Sequence, residues 1–169
     1  YSCAVVMDSE RNVVALYRNN KIDPSRFGSL LFYLGRWYNN CLLSCESNSI
    51  GIATLQQLHY MSYPNIYRQK KTANAQIDIL NTLGFKTTIS TKAPIISNLQ
   101  NMIKDFDINI PSRRILNELK DYVVHQTVTG GTKMGAAVGK HDDSVMALAI
   151  CCEAYRTDGD KLTVNRFSW

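Results

Sequence analysis

Residues 140–143 read Lys-His-Asp-Asp and stand directly before the apolar run SVMALAIC. Neighbouring carboxylates are the groups that hold hard divalent cations, since Mg2+ and Mn2+ take oxygen donors. Two such ions about 4 Å apart activate a water and stabilise the leaving oxygen of a phosphodiester, provided three or four carboxylates converge from different elements. A second element supplies another candidate. Glu46 closes the short apolar run CLLSCE just ahead of a helix start, and ligand sites of α/β sheets lie at the carboxyl ends of strands. The competing explanation is structural: Asp142 and Asp143 fall in the first turn of a helix, where a carboxylate caps free N–H groups and meets the positive end of the helix dipole. A cap needs only one aspartate, so the other is left over. His141 either steers a water or contacts a phosphate, or is a surface residue at a helix entry.

The elements that must position these residues follow from hydrophobic period. Residues 2–7 and 12–18 are apolar or β-branched runs separated by Asp8, Ser9, Glu10 and Arg11, which predicts a hairpin with Asp8 in its turn. Asp23 and Pro24 are a cap and first residue for a helix carrying Phe27, Leu30, Leu31, Leu34 and Tyr38 at helical spacing. Trp37, Tyr33 and Tyr38 are expected in the core. The run 41–46 reads as a buried central strand. A helix over about 50–61 follows, with Ile52, Leu55 and Leu58 on one side and Gly51 allowing close approach near its start. Helices are predicted at 94–106 and 111–121, opened by Pro94 and Pro111. Residues 123–139 have β-rich flanks around a glycine-rich centre, and the last helix spans 142–155. Strands paired first as a hairpin and then alternating with helices imply an α/β fold, with a central mixed sheet flanked by helices on both faces. Its 169 residues suit one domain. The chain opens on Tyr1 and enters a strand at once, as a piece of a longer polypeptide would.

A net charge of +5 favours an anionic partner. Arg68, Lys70 and Lys71 form the densest basic cluster and could track a DNA backbone, and Lys133 and Lys140 flank the glycine-rich stretch and could reach phosphates. Solvation is the alternative for each. His59 and His125 read as structural. Five cysteines without paired CxxC spacing read as buried thiols of a reducing compartment. The apolar runs are too short to span a bilayer, and no phosphate loop of the G-x-x-x-x-G-K-[ST] kind is present.

The order of these parts carries a resemblance. The hairpin, DPSRFGSLLFYLGRWYNN, CESNSIGIATLQQL, YPNIYR, LGFKTTISTKAPIISNLQNMI and GKHDDSVMALAI together resemble the C-terminal nuclease domain of tailed-phage terminase large subunits, over nearly the whole chain. The resemblance implies an RNase H-like fold of the retroviral integrase superfamily, and cutting of concatemeric double-stranded viral DNA into genome units. It also implies two divalent ions, Mg2+ or Mn2+, held by three acidic residues. By motif, Glu46 is the second acid and Asp143 the third, with Asp142 as competitor or auxiliary ligand. The first is expected in a strand before Tyr1. Lys92, in TKAP, matches the family pattern near the site. Further implied are an ATPase domain, a small terminase subunit, a portal or procapsid, no membrane, and the host cytoplasm. A Holliday-junction resolvase of related fold and a non-catalytic DNA-binding or motor-docking module are the alternatives.

Overall fold

The chain was described from a computed structural model covering residues 1–69, 82–126 and 132–158. These fall into two compact units, one formed by Tyr1–Ile22 with Thr88–Cys151 and the other by Asp23–Thr87 with residues from Cys152 onward.

In the first unit, β1 (Ser2–Met7) pairs antiparallel with β2 (Val13–Asn19), in a register that sets Cys3 opposite Arg18. The turn between them is held by Asp8, whose carboxylate accepts the main-chain N–H groups of Glu10 (2.9 Å) and Asn12 (2.8 Å). Helix α3 (Ile89–Lys104) starts five residues before Pro94. The start is fixed by a capping box: the Thr88 hydroxyl accepts from Thr91 N–H, and the Thr91 side chain accepts from Thr88 N–H. The pair lacks the usual Glu or Gln partner, which leaves Pro94 as the stronger start signal in the sequence. Helix α4 (Arg113–Lys120) likewise begins two residues after Pro111, capped by Ser112. It buries Ile115 and Glu118. The residues flanking the glycine-rich centre form β3 (Tyr122–Gln126) and β4 (Thr132–Ala136), an antiparallel pair. Helix α5 (Asp143–Asp158) contributes Asp143–Cys151 to this unit and its later residues to the second; it buries Val145, Leu148, Ala149 and Cys152 on one side, and Ile150 and Ala154 on another. A helix buried on two sides shows little amphipathic contrast, as its sequence does.

In the second unit, α1 (Pro24–Trp37) is capped by Asp23, which accepts from Arg26 N–H at 3.0 Å. It packs on α2 (Ile50–Tyr60), where Gln57 donates to the Ser29 hydroxyl and the Thr54 hydroxyl donates to the Pro24 carbonyl, each at 3.2 Å. Gly28 makes the approach possible, since a Cβ there would lie 2.7 Å from that of Gln57. The α1 face differs from expectation: Phe27 and Leu31 are buried, whereas Tyr33 and Trp37 are 66% and 83% exposed and lie outside the core. On α2, Leu55 and Leu58 are buried but Ile52 faces outward.

The expected strand over 41–46 is realised as single parallel bridges, Leu43 with Ile66 and Glu46 with Phe85, and Arg68 bridges Gly84. Its hydrogen bonds are short even so: Leu43 N–H donates to Asn65, Tyr67 N–H to Leu43 and Phe85 N–H to Cys45, all at 2.8–2.9 Å. The fold is α/β, and among the described residues its sheet part consists of two antiparallel pairs and isolated bridges, which include Asn12 with Asn109 and Arg68 with Leu83. Of the five cysteines, Cys152 is buried and the others are half-buried. Among the described residues no helix is long and apolar enough to cross a membrane.

Candidate functional site

Helix α5 begins at Asp143, and Met146 N–H donates to the Asp142 carbonyl, so the two aspartates stand side by side at its entry. Neither carboxylate supplies the principal cap. Ser144 N–H instead donates to Glu118 Oε2 of α4 at 2.7 Å, so a buried carboxylate from another element satisfies the first turn. The aspartates therefore keep their oxygens for other partners. Asp143 Oδ2 accepts from Arg18 Nη2 at 3.1 Å and lies 3.8 Å from His141 Nδ1, and Oδ1 lies 3.4 Å from the main-chain nitrogen of Tyr1. Asp142 Oδ2 is 3.6 Å from Lys92 Nζ of α3. Arg18 completes the cluster: its Nε is 3.6 Å from Glu118 Oε1 and its guanidinium lies over the Tyr1 ring at 3.4 Å. His141 meets the same ring edge-on at 4.9 Å.

Two side-chain cations, Arg18 and Lys92, thus face three carboxylates. Charge and burial move the neighbouring groups. Burial pushes the Tyr122 hydroxyl up to about 12, and the Asp142 carboxylate adds to it. Burial also pushes the Cys3 thiol up to about 11; the Ser144 hydroxyl opposes that shift, and Glu118 and Asp143 reinforce it. The Arg18 guanidinium is held above its ordinary value because its bond and charge pairing with Asp143, together with Glu118, outweigh desolvation.

The donor set at α5 fits part of a hard-cation shell. Asp142 and Asp143 offer carboxylate oxygens on side chains 29% and 23% exposed, the chemistry Mg2+ and Mn2+ select. Among the described residues no three His, Cys, Asp or Glu side chains converge as a metal would require. Glu46 belongs to the second unit. There its Oε1 accepts from Asn48 Nδ2 at 3.2 Å, and Asn48 also donates to the Thr87 carbonyl at 2.8 Å. The close approach expected at Gly51 is present, since a Cβ there would collide with the Glu46 carbonyl oxygen. This seats the start of α2 against the Glu46 backbone.

Of the basic residues, Lys92 joins the cluster through Asp142, and Lys140 pairs instead with Asp121 at 3.4 Å. Lys133 is exposed on β4 opposite His125, whose Nε2 lies 3.1 Å from the Ala136 carbonyl. Arg68 lies in the second unit, 3.4 Å from the Thr82 hydroxyl, beside a cleft of about 350 Å³ lined also by Tyr67, Phe85 and Glu153. Lys70 and Lys71 lie outside the described residues. Sequence reasoning missed Arg18 and Glu118. Glu118 stands three residues after the buried Ile115, one helical turn along the same face, so its position was readable. Periodicity alone does not reveal that a carboxylate on that face is buried and paired.

The fold defined by these elements is similar to that of solved large terminase nuclease domains. The magnesium-bound large terminase nuclease of thermophilic phage G20c superposes with a TM-score of 0.70 at 22% identity, covering 88% of this chain and 71% of that one. Its cobalt-bound form gives the same score and identity, covering 89% and 73%. In sequence, the large terminase subunit of Thermus phage G20c is 27% identical over 164 residues, 95% of this chain. The chain spans 30% of the length of that curated relative. No protein-family model matches.

Proposed function

We propose that the chain is the nuclease part of a phage DNA-packaging terminase, a metal-dependent endonuclease that cuts concatemeric duplex DNA into genome units. The observation that carries this reading is the pair of partly exposed aspartates at the entry of α5, relieved of capping by Glu118, within a nuclease fold. Asp143, Asp142 and Glu46 are the proposed ligands, as the resemblance implies. The resemblance implies one further acid, the first of the three in chain order. Relatives crystallised with magnesium and with cobalt support a divalent ion; a second ion, and use of manganese, are part of the proposal. When bound, such ions polarise the phosphodiester and supply a water of lowered pKa.

The chain's own residues do the rest. Asp142 and Asp143 orient the metal side of the site, and Lys92 and Lys133 offset phosphate charge. His141, on the exposed flank of Asp143, contacts the scissile phosphate or orients a water. Contacts of this kind go to phosphate rather than base edges, which suits a cut made with little regard to sequence. Duplex DNA is the proposed substrate, and for the whole polypeptide the partners are the other parts of a packaging machine: ATPase domain, small subunit and portal.

Plasmid nicking by the full-length polypeptide with Mn2+ or Mg2+ tests this. Asp143→Ala is expected to lower the rate at least 100-fold, the scale of losing one group that stabilises transition-state charge. Nicking unchanged by Asp143→Ala and by Glu46→Ala would overturn the assignment, and a strong preference for four-way junctions would favour a resolvase.

A further inference from the structure

Arg18 contacts both a carboxylate committed to structure and a candidate metal ligand. Glu118 is committed because its Oε2 accepts from Ser144 N–H at 2.7 Å, while its Oε1 lies at ion-pair distance, 3.6 Å, from Arg18 Nε. It cannot turn toward a metal without stripping the first turn of α5 of its partner. Asp143 is free to do so, at 23% exposure, but its Oδ2 already carries the Arg18 guanidinium at 3.1 Å. That guanidinium is only 12% exposed and stacked on Tyr1, and it stays charged at any ordinary pH. We infer that Arg18 is a resident counter-ion of Asp143, partly displaced when a divalent ion binds, and that Glu118 retains the arginine while Asp143 turns to the metal. Both are positioning residues, since neither reaches the reacting atoms. The inference rests on the metal-dependent reading above and adds what partners Asp143 when no metal is bound.

The arrangement makes two neutral substitutions act in opposite directions. Arg18→Gln removes the competitor, so Asp143 binds the ion more tightly. Glu118→Gln keeps an acceptor for Ser144 N–H but leaves the guanidinium to Asp143 alone, so the ion binds more weakly. Each change is expected to be roughly tenfold, the scale on which one neighbouring charge moves a partly exposed carboxylate. Mn2+ titration calorimetry on the nucleotide-free full-length polypeptide, with Asp143→Ala as the blank, reads this directly. General damage to the site would weaken binding in both variants, and that result, or no change in either, overturns the inference. If Glu118→Gln does not fold by circular dichroism, Arg18→Gln decides alone, and equal or weaker binding overturns it. Arg18→Lys keeps the charge and should stay within about threefold of the parent; a tenfold gain there would show that shape rather than charge is at work. A parent protein indistinguishable from Asp143→Ala overturns the metal site itself, and this inference with it.

Discussion

Carboxylates in this chain are sorted by their neighbours. Asp8, Asp23 and Glu118 accept main-chain N–H groups and serve turns and helix starts. Asp142 and Asp143 face side-chain cations instead. From the sequence, the twin aspartates were visible as one too many for a cap, but the residue that does the capping was not, because Glu118 is 26 positions away and only the fold brings it to Ser144. Asp8 offers a measurement of the turn-forming class. Desolvation raises its pKa, but the Asn12 side chain and the Asn12 and Glu10 N–H groups outweigh it and hold the carboxyl below its ordinary value. A depressed folded-state pKa gives stability that is complete above the unfolded value and lost as pH falls through the folded one. Asp8→Ala should therefore lower the thermal midpoint near neutral pH, and the gap to the parent should close as pH drops below about 4. A gap that stays constant with pH would mean that the charge on Asp8 contributes nothing to the turn.

At the scale of elements, the helices and the first hairpin were legible, and the pairing of the run 41–46 was not. α1 announces itself through Asp23-Pro24 and the buried Phe27 and Leu31, and the hairpin through its two apolar runs. The run 41–46 looked like a central strand because it is apolar, yet apolarity records burial and not pairing. It is held by bridges to residues 20 to 40 positions later, which no local pattern encodes. The same confusion placed Tyr33 and Trp37 inside: helical spacing defines a face, but the face is wider than the part that is covered. The covered part can be tested. Leu58 has no exposed surface, so Leu58→Ala should cost about 2–5 kcal/mol of unfolding free energy. Trp37→Ala, at an 83% exposed position, should cost under about 0.5 kcal/mol. Denaturant melts compare them, and a large loss at Trp37 would show that α1 buries a different face.

For the whole molecule, the net charge of +5 matters less than where cations stand relative to carboxylates. Many are already committed: Arg18, Lys92, Lys140 and Arg156 are paired with Asp143, Asp142, Asp121 and Glu153. Lys133 is exposed, with no ion pair among the described residues, and stands on β4 two residues before Gly135, beside which Asp142 Oδ2 lies. DNA directed to α5 would therefore meet Lys133. Lys104 is a control of equal charge: it closes α3, twelve residues and about 18 Å along the helix from Lys92. Removing one cation that neutralises a phosphate should reduce the slope of log affinity against log salt by about 0.9. Lys133→Ala is accordingly expected to flatten the salt dependence of duplex binding by about that amount, and Lys104→Ala to leave it unchanged. Binding isotherms over a range of salt concentrations read both slopes. Equal flattening by the two variants would mean that duplex DNA is held by diffuse charge rather than at the aspartate pair, and the site would then need a different account of how its substrate arrives.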